Sequence, residues 1–237
     1  MYIPQPFAVH DRGFLHDFMR RYSFATLITG GNEPYATHLP LLLDDTAGTH
    51  GTLLGHFARP NGHWKLDHRA NGSLAIFHGP HAYISPTFYP DGALAVPTWN
   101  YAAVHVRGHL RLVEDLEQAK PIIHRLIAFY ESGRPSPWPN PLPREMFDKM
   151  MRGIVVFELP IETIEGKCKL SQNRSIADQR GAIAGLRADG DSESVSLADF
   201  AETFLHLGDA DKSKSPTLAQ AGRPGTSADE LSNREIP

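Results

Sequence analysis

The apolar pattern changes early in the chain from a helical to a strand-like spacing. After Asp11, a residue type that favours helix N-caps, apolar residues recur on one helical face from Phe14 to Tyr22. Short β-type runs follow, separated by glycine- and proline-rich turns. These runs predict strands at Phe24–Thr29, Pro34–Leu43, Thr52–Phe57 and Ser73–His78. Gly79-Pro80 is expected to end the last of them.

The second half of the pattern combines two long strands with helical stripes. It predicts strands at Val104–Val113 and Ile154–Glu165 and a helix over Ala119–Tyr130. Pro121 predicts that the first turn of this helix begins after the start of the apolar stripe. Ser196 and Asp199 resemble a capping box, which predicts the start of a last helix.

The order of these elements defines the fold class. The strands do not alternate regularly with helices, which argues against a parallel doubly wound sheet. We therefore predict a mainly β fold with flanking α-helices, a mostly antiparallel barrel that occupies residues 1–207. Residues 208–237 are rich in small and polar residues and are predicted to form a flexible tail, because they cannot bury enough apolar surface to offset their ordering entropy.

Composition and charge restrict the location and the partners. Apolar residues make up 41% and charged residues 21% of the 237 residues, which is ordinary for a globular protein. The net charge is −4 and no basic cluster stands out, so direct DNA binding is not expected. The single cysteine, Cys168, excludes an internal disulfide. With no apolar run of about 18–20 residues, we expect a cytoplasmic protein that does not span a membrane.

Three segments carry candidate binding residues. Arg59 and Asn61 follow a strand end, where a guanidinium and backbone amides can bind phosphate; a surface arginine in a turn is the alternative. Trp99 and Asn100 suit a flat heteroaromatic ligand, or equally an aromatic corner of the core. The spacing of His78 and His81 alone predicts no metal site, since zinc needs three or four converging ligands.

A fourth segment, around Cys168, is the most informative. If its strand continues, Lys167, Lys169 and Ser171 share one face, and Cys168 faces the other side. Two lysines and a hydroxyl would suit an anionic ligand and would stabilise negative charge on a reduced flavin. The alternative is a solvated edge on which lysines discourage aggregation. Cys168 itself is interpreted as structural.

At these segments the chain resembles the PaiB family, described as FMN-binding negative transcriptional regulators. The resemblance rests on Met1–Pro4 with Phe7, Ala36–Leu41, Gly55–Arg59, Gly79–Pro86, Val96–Tyr101 with Val104 and His105, Gly166-Lys167 and Lys169–Arg174. It runs in order to about residue 190. It implies an antiparallel split β-barrel of the FMN-binding type and a homodimer that binds FMN at its interface.

The resemblance also implies roles for individual residues. Thr37, His38 and Leu39 would line the isoalloxazine ring, while His56, Ala58, Arg59 and Asn61 would hold the phosphate end. Tyr83, Ser85, Trp99 and Asn100 would come from the interface, and Lys167 and Lys169, with Ser171 beside them, would face the pyrimidine edge or the phosphate. The chain departs from the family at Cys168, where a Trp is usual, and at Arg59-Pro60-Asn61, where the usual order is Arg-Ala-Asn-Pro.

Three functions remain open on the sequence alone. The resemblance favours a flavin-binding regulator or flavin-linked sensor. An FMN-dependent oxidoreductase that uses a nicotinamide cofactor is the alternative, by analogy with the fold. A haem-binding protein is a further alternative, because the fold class includes some and histidines are plentiful.

Overall fold

Ten strands and five α-helices make up the computed structural model, which describes residues 1–90 and 95–206. The strands are β1 (Ala8–Val9), β2 (Phe24–Thr29), β3 (Tyr35–Pro40), β4 (Leu42–Asp44), β5 (Thr52–Ala58), β6 (Ser73–Ile84), β7 (Thr98–Gly108), β8 (Arg111–Val113), β9 (Ile154–Pro160) and β10 (Thr163–Lys169). The helices are α1 (Arg12–Arg21), α2 (Leu116–Glu131), α3 (Arg144–Met151), α4 (Ile176–Asp189) and α5 (Ser192–Phe204), with 3-10 turns at Gln5–Phe7, Gly62–Lys65 and Pro86–Phe88. The predicted tail, residues 208–237, lies outside the described residues.

The strands form two antiparallel sheets that face each other. The larger sheet has the order β1-β10-β7-β6-β2-β3, and the smaller has the order β4-β5-β9-β8. The main core lies between them and includes Phe77 and Val104 from the larger sheet and Phe57 and Phe157 from the smaller. Helices α1, α4 and α5 also pack on this core, whereas α2 and α3 cover the other face of the smaller sheet. The antiparallel barrel with flanking helices is therefore confirmed.

Strand β7 shows how alternation assigns the two faces of the larger sheet. Ala102, Val104 and Val106 are buried and point to the core. Trp99 and Arg107, an odd number of residues away, are exposed on the opposite face. No helix of the described residues covers this second face around Trp99, and we call it the outer face.

Two long strands predicted from the sequence are each divided in the structure. The predicted Val104–Val113 separates into β7 and β8, and the predicted Ile154–Glu165 separates into β9 and β10. The chains cross closely at this point, because a Cβ atom on Gly108 would lie 2.1 Å from the carbonyl oxygen of Pro160. Only glycine allows that approach, so each strand bends there and changes sheet.

The predicted strand Pro34–Leu43 is also divided, into β3 of the larger sheet and β4 of the smaller sheet. The remaining differences concern one predicted strand break and the starts of two helices. Strand β6 continues through Gly79-Pro80 as a bulge between His78 and His81, so the predicted break is wrong. Helix α2 begins before Pro121, since Asp115 caps it by accepting a hydrogen bond from the Gln118 amide at 2.8 Å.

Helix α5 also begins earlier than the capping box predicted. Asp191 is its N-cap and accepts hydrogen bonds from the amides of Glu193 and Ser194. Ser196 and Asp199 therefore lie inside the helix rather than at its start. The sequence signal for a capping box was present, but a stronger aspartate cap lies five residues upstream.

Candidate functional site

The outer face of the larger sheet concentrates exposed rings. Trp99 on β7 is 49% exposed and lies opposite Tyr83 on β6, which is 45% exposed. The next row pairs Tyr101 with His81 on one side and with Lys169 on the other. Large exposed apolar rings at neighbouring positions of one sheet face are typical of a binding surface.

A hollow of about 640 Å³ lies on this face, beside β7 and β10. It is lined by Met1, Tyr2, His78, Gly79, His81, Trp99, Tyr101, Ala102, Ala103, His105 and Lys167. Lys167 is only 6% exposed, and its ammonium group donates to the carbonyl oxygen of Tyr2 at 3.0 Å. The same group lies over the rings of Tyr2 and Tyr101, 5.5 and 5.1 Å from their centroids. The hollow thus combines aromatic rings with the positive charge of Lys167, which its contacts with Tyr2 and Tyr101 hold in place.

Burial sets the protonation of the histidines in this region. Desolvation lowers the pKa of His78, and the neighbouring His81 and His38 lower it further. Desolvation is also the largest cause of the lowered pKa of His105, followed by the charge of the N-terminal amine. That amine forms an ion pair with Glu165 at 2.8 Å. The imidazole rings of His78 and His105 are therefore held toward their neutral form.

The lysines and Ser171 do not share one face, so this prediction is wrong. Strand β10 ends at Lys169, and Ser171 has a left-handed φ of 69°. Ser171 is therefore turned toward the core, where its hydroxyl accepts a hydrogen bond from Asn100 at 3.0 Å. Lys169 stays on the outer side and donates to the carbonyl oxygen of Trp99 at 2.7 Å and to Thr98. Burial and the charge of Lys167 lower the pKa of Lys169.

A second group of predicted residues meets at the corner between β3, the end of β5 and the turn Gly62–Lys65. The Asn61 side chain donates to the Thr37 hydroxyl at 3.1 Å. Thr37 also contacts His63, whose Nδ1 atom lies 2.8 Å from the hydroxyl oxygen. Asn61 in turn accepts a hydrogen bond from the backbone amide of His63 at 2.9 Å. We call Thr37, Asn61 and His63 the corner cluster.

Arg59 lies beyond this corner and already has protein partners. Its guanidinium donates to the carbonyl oxygens of Arg152 and Ile154 at 2.8 and 2.7 Å and lies 5.7 Å from the centroid of the Trp64 ring. These two hydrogen bonds use Nε and Nη2, which leaves Nη1 for a ligand. Arg59 therefore stabilises the junction of β5 and β9 besides its predicted phosphate role.

The other predicted residues are distributed over three environments. His56 and Ala58 alternate with Phe57, so they point away from the main core toward the α2 side of the smaller sheet. Leu39 is buried in the main core. His38 is on the outer face, with its ring stacked on Phe24 and its Nδ1 atom 3.0 Å from the Thr26 hydroxyl.

Ser85 is placed after β6, at the start of the turn Pro86–Phe88. Its side chain caps this turn by accepting a hydrogen bond from the Thr87 amide at 3.2 Å. Single-chain geometry thus brings together Tyr83, Trp99, Lys167 and Lys169 on the outer face, and Thr37 with Asn61 at the corner. It leaves His56, Ala58 and Ser85 apart from both groups.

Sequence reasoning missed several residues of the site. His63 lies two residues after the predicted Asn61, but no periodic signal in the sequence marks a buried histidine. Tyr2 comes to the hollow through the pairing of β1 with β10, which no local pattern in the sequence reveals. Tyr101 could have been found from alternation alone, because it lies two residues after Trp99 on the same strand.

Cys168 takes no part in the hollow. It is buried in the main core on the side opposite to Lys167, and burial raises the pKa of its thiol.

Within residues 1–90 and 95–206, no group of three or more His, Cys, Asp and Glu side chains is arranged to hold a metal ion. No helix among the described residues has the length and apolar character to cross a bilayer.

The fold class is shared with flavoproteins of known structure. The flavocytochrome Anf3 from Azotobacter vinelandii superposes with a TM-score of 0.54 over 68% of this chain and 69% of its own, at 13% identity. The FAD and heme binding protein from Mycobacterium smegmatis superposes with a TM-score of 0.51 over 75% of this chain and 80% of its own, at 14% identity. At such identities the comparison establishes the split-barrel fold alone.

Sequence comparison identifies the family. Residues 1–163 match the family model described as "Putative FMN-binding domain". The protein named Protease synthase and sporulation protein PAI 2 from Bacillus subtilis is 35% identical over 208 residues, which cover 86% of this chain and 98% of that protein. The chain therefore belongs to the PaiB family of FMN-binding flavoproteins.

The residues of the outer face fit the cofactor that the family binds. FMN needs rings for its flat isoalloxazine and positive charge for its pyrimidine edge and phosphate. Trp99 and Tyr101 supply rings, and Lys167 supplies a charge that the fold holds in place. The buried Nδ1 atom of His105, at the same hollow, has no hydrogen-bond partner among residues 1–90 and 95–206, so a ligand edge would satisfy it.

The buried His63 predicts how stability depends on pH. Burial, with a smaller effect of His68, lowers its pKa from 6.5 in a model compound to about 4. Between these values the unfolded chain binds a proton that the folded chain does not, so the free energy of unfolding falls as the pH falls. We expect urea unfolding to show lower stability at about pH 5 than at about pH 7, by of the order of 1–3 kcal/mol. Equal stability at both pH values would contradict this.

Proposed function

We propose that the protein is a homodimer that binds FMN between the outer face of one copy and the corner cluster of the other. The observation that carries the proposal is the outer face, which no described helix covers: Tyr83 lies beside Trp99 there, and the rings of Tyr2 and Tyr101 hold Lys167 at the hollow. The corner cluster and Arg59 do not border this hollow. Within one copy, the residues expected to bind the two ends of FMN lie apart. A second copy would bring them together.

Each part of the proposed site has a distinct task. The rings of the outer face would stack on the isoalloxazine, and Lys167 would stabilise negative charge at its pyrimidine edge. Asn61, Thr37 and Arg59 would hold the phosphate of FMN by hydrogen bonds and charge. When bound, FMN supplies one- and two-electron redox chemistry.

We infer a regulatory role, as a flavin-linked sensor of the PaiB type, that does not act by direct DNA reading. The Bacillus subtilis relative is named Protease synthase and sporulation protein PAI 2, and the reference to sporulation in that name supports a regulatory role. The net charge of −4 argues against a basic surface for DNA. A change in the redox state of the flavin would instead be transmitted through the dimer interface.

An FMN-dependent oxidoreductase is the second candidate, because three histidines border the same hollow. His78, His81 and His105 are placed where groups that carry protons would serve a flavin reaction.

Anaerobic mixing with NADH or NADPH separates the two functions. For a sensor we expect flavin reduction to be slow, without multiple turnover when an electron acceptor is added. Rapid bleaching near 450 nm followed by turnover would favour the oxidoreductase instead. A band in a mobility-shift assay at low salt would contradict the statement that the protein does not read DNA directly.

Trp99→Ala tests the outer face as the shared surface. We expect the Kd for FMN to rise about 5–30-fold and the dimer to weaken, because a stacked aromatic ring at an interface contributes about 1–2 kcal/mol. Flavin fluorescence titration and sedimentation velocity measure the two effects. Trp138→Ala is the matched control, since Trp138 is 42% exposed but does not border the hollow. Equal effects of both substitutions, or a monomeric wild-type protein that binds FMN, would refute the shared site.

Arg59→Ala tests the phosphate end. We expect FMN binding to weaken by about 1.5–3 kcal/mol, the contribution of a charged hydrogen bond. Arg59→Lys keeps the charge but loses the planar fork, so its effect should be intermediate. Because Arg59 also bonds to two backbone carbonyls, urea unfolding of each variant is measured in parallel. Unchanged affinity would move the phosphate site away from Arg59, with Lys169 the next candidate.

A further inference from the structure

A chain of hydrogen-bonded side chains runs from the corner cluster into the core. Asn61 donates to the Thr37 hydroxyl, which lies 2.8 Å from Nδ1 of His63. The other ring nitrogen, Nε2 of His63, lies 2.8 Å from the Thr29 hydroxyl. Thr29 in turn lies 2.7 Å from the hydroxyl oxygen of Ser73. Thr37 and Asn61 are half-buried at one end, and the other three residues are buried.

His63 lies in the middle of this series of hydrogen bonds and decides in which direction they run. Its side chain has 0% exposure and lies between the rings of Tyr35 and Phe57, whose centroids are 5.0 and 4.9 Å away. Burial keeps the imidazole neutral near neutral pH. A neutral imidazole donates from one nitrogen and accepts at the other, so the position of one proton decides whether the hydroxyls of Thr37 and Thr29 donate to the ring or accept from it.

The two tautomers have opposite consequences for Thr37. With the proton on Nε2, His63 donates to Thr29, and the Thr37 hydroxyl must donate inward to Nδ1. With the proton on Nδ1, His63 donates to Thr37 and accepts from Thr29. The Thr37 oxygen then receives hydrogen bonds from both His63 and Asn61, and its own hydrogen is available to a ligand outside the chain.

We propose that His63 is a positioning residue of the flavin site: with its proton on Nδ1, it turns the hydrogen of the Thr37 hydroxyl toward a phosphate oxygen of FMN. This inference rests on the proposed function, because it needs the phosphate at the corner cluster. An anion accepts hydrogen bonds only, so it selects the tautomer that makes Thr37 a donor. His63 acts through Thr37 and does not itself contact the ligand.

Two substitutions of His63 distinguish the roles of its two ring nitrogens, Nδ1 and Nε2. Asparagine places an amide near the position of Nδ1 and can still donate to Thr37, whereas the longer glutamine reaches toward Thr29. We expect His63→Gln to raise the Kd for FMN about tenfold, the effect of one lost hydrogen bond, and His63→Asn to raise it less than about threefold. Riboflavin, which lacks the phosphate, should bind both variants as it binds the wild-type protein.

A matched control separates positioning from general loss of stability. Phe57→Leu disturbs the packing around His63 but leaves in place every polar group of the hydrogen-bonded series from Asn61 to Ser73. It should lower the free energy of unfolding without the tenfold change in FMN affinity. Equal losses of FMN affinity in the asparagine and glutamine variants, or an equal loss of riboflavin affinity, would overturn the proposal.

The tautomer can also be observed directly. In ¹⁵N spectra of the FMN-bound protein, with the His63 signals assigned by their loss in His63→Asn, we expect Nδ1 to carry the proton. A proton on Nε2 would overturn the proposal even if the affinities change as expected. A wild-type protein that binds no FMN would refute the proposed function itself. FMN binding with unchanged affinity in all His63 variants would refute only the role of His63.

Discussion

The two different faces of strand β7 are the constraint on which the rest of the structure depends. Its even-numbered residues from Asn100 to Val106 are buried and close the core against the smaller sheet. Its odd-numbered residues include Trp99, Tyr101 and His105, which border the hollow. Because β7 pairs with β6 and β10 over nearly its whole length, a shift by one residue would exchange the two sets. The core therefore fixes the register in which the site is presented.

The same alternation explains which parts of the fold follow from the sequence. The bounds of β2 were predicted correctly, since its apolar run is short and ends at a glycine turn. The division at Gly108 was not predicted, because it depends on the approach of Pro160, about fifty residues later in the chain. The bulge at Gly79-Pro80 has the same origin: the backbone lies against Phe18, and a Cβ atom on Gly79 would be 2.7 Å from that ring. Contacts between distant segments leave no local pattern to detect.

The candidate site, like the fold, could be predicted from the sequence only in part. The segments that the resemblance indicated contain Tyr83, Trp99 and Lys167 of the outer face and Thr37 of the corner cluster, whereas Asn61 and His63 follow the segment Gly55–Arg59. The orientation of single side chains came only from the structure. Ser171 turns toward Asn100 because β10 ends two residues earlier, and Arg59 donates to carbonyls of β9 that no motif could reveal. The roles of the individual residues toward FMN stay predictions.

Cys168 illustrates why a departure from the family pattern need not affect the outer face. The residue is on the core side of β10, next to Lys167 in sequence but opposite to it in space. Replacing a large ring by a small thiol at this position changes the volume available to the core rather than the chemistry of the outer face. Lys167 keeps its place because Tyr2 and Tyr101 hold its ammonium group from the outer side. The packing of the barrel and the binding surface can therefore vary separately, although a single strand carries both.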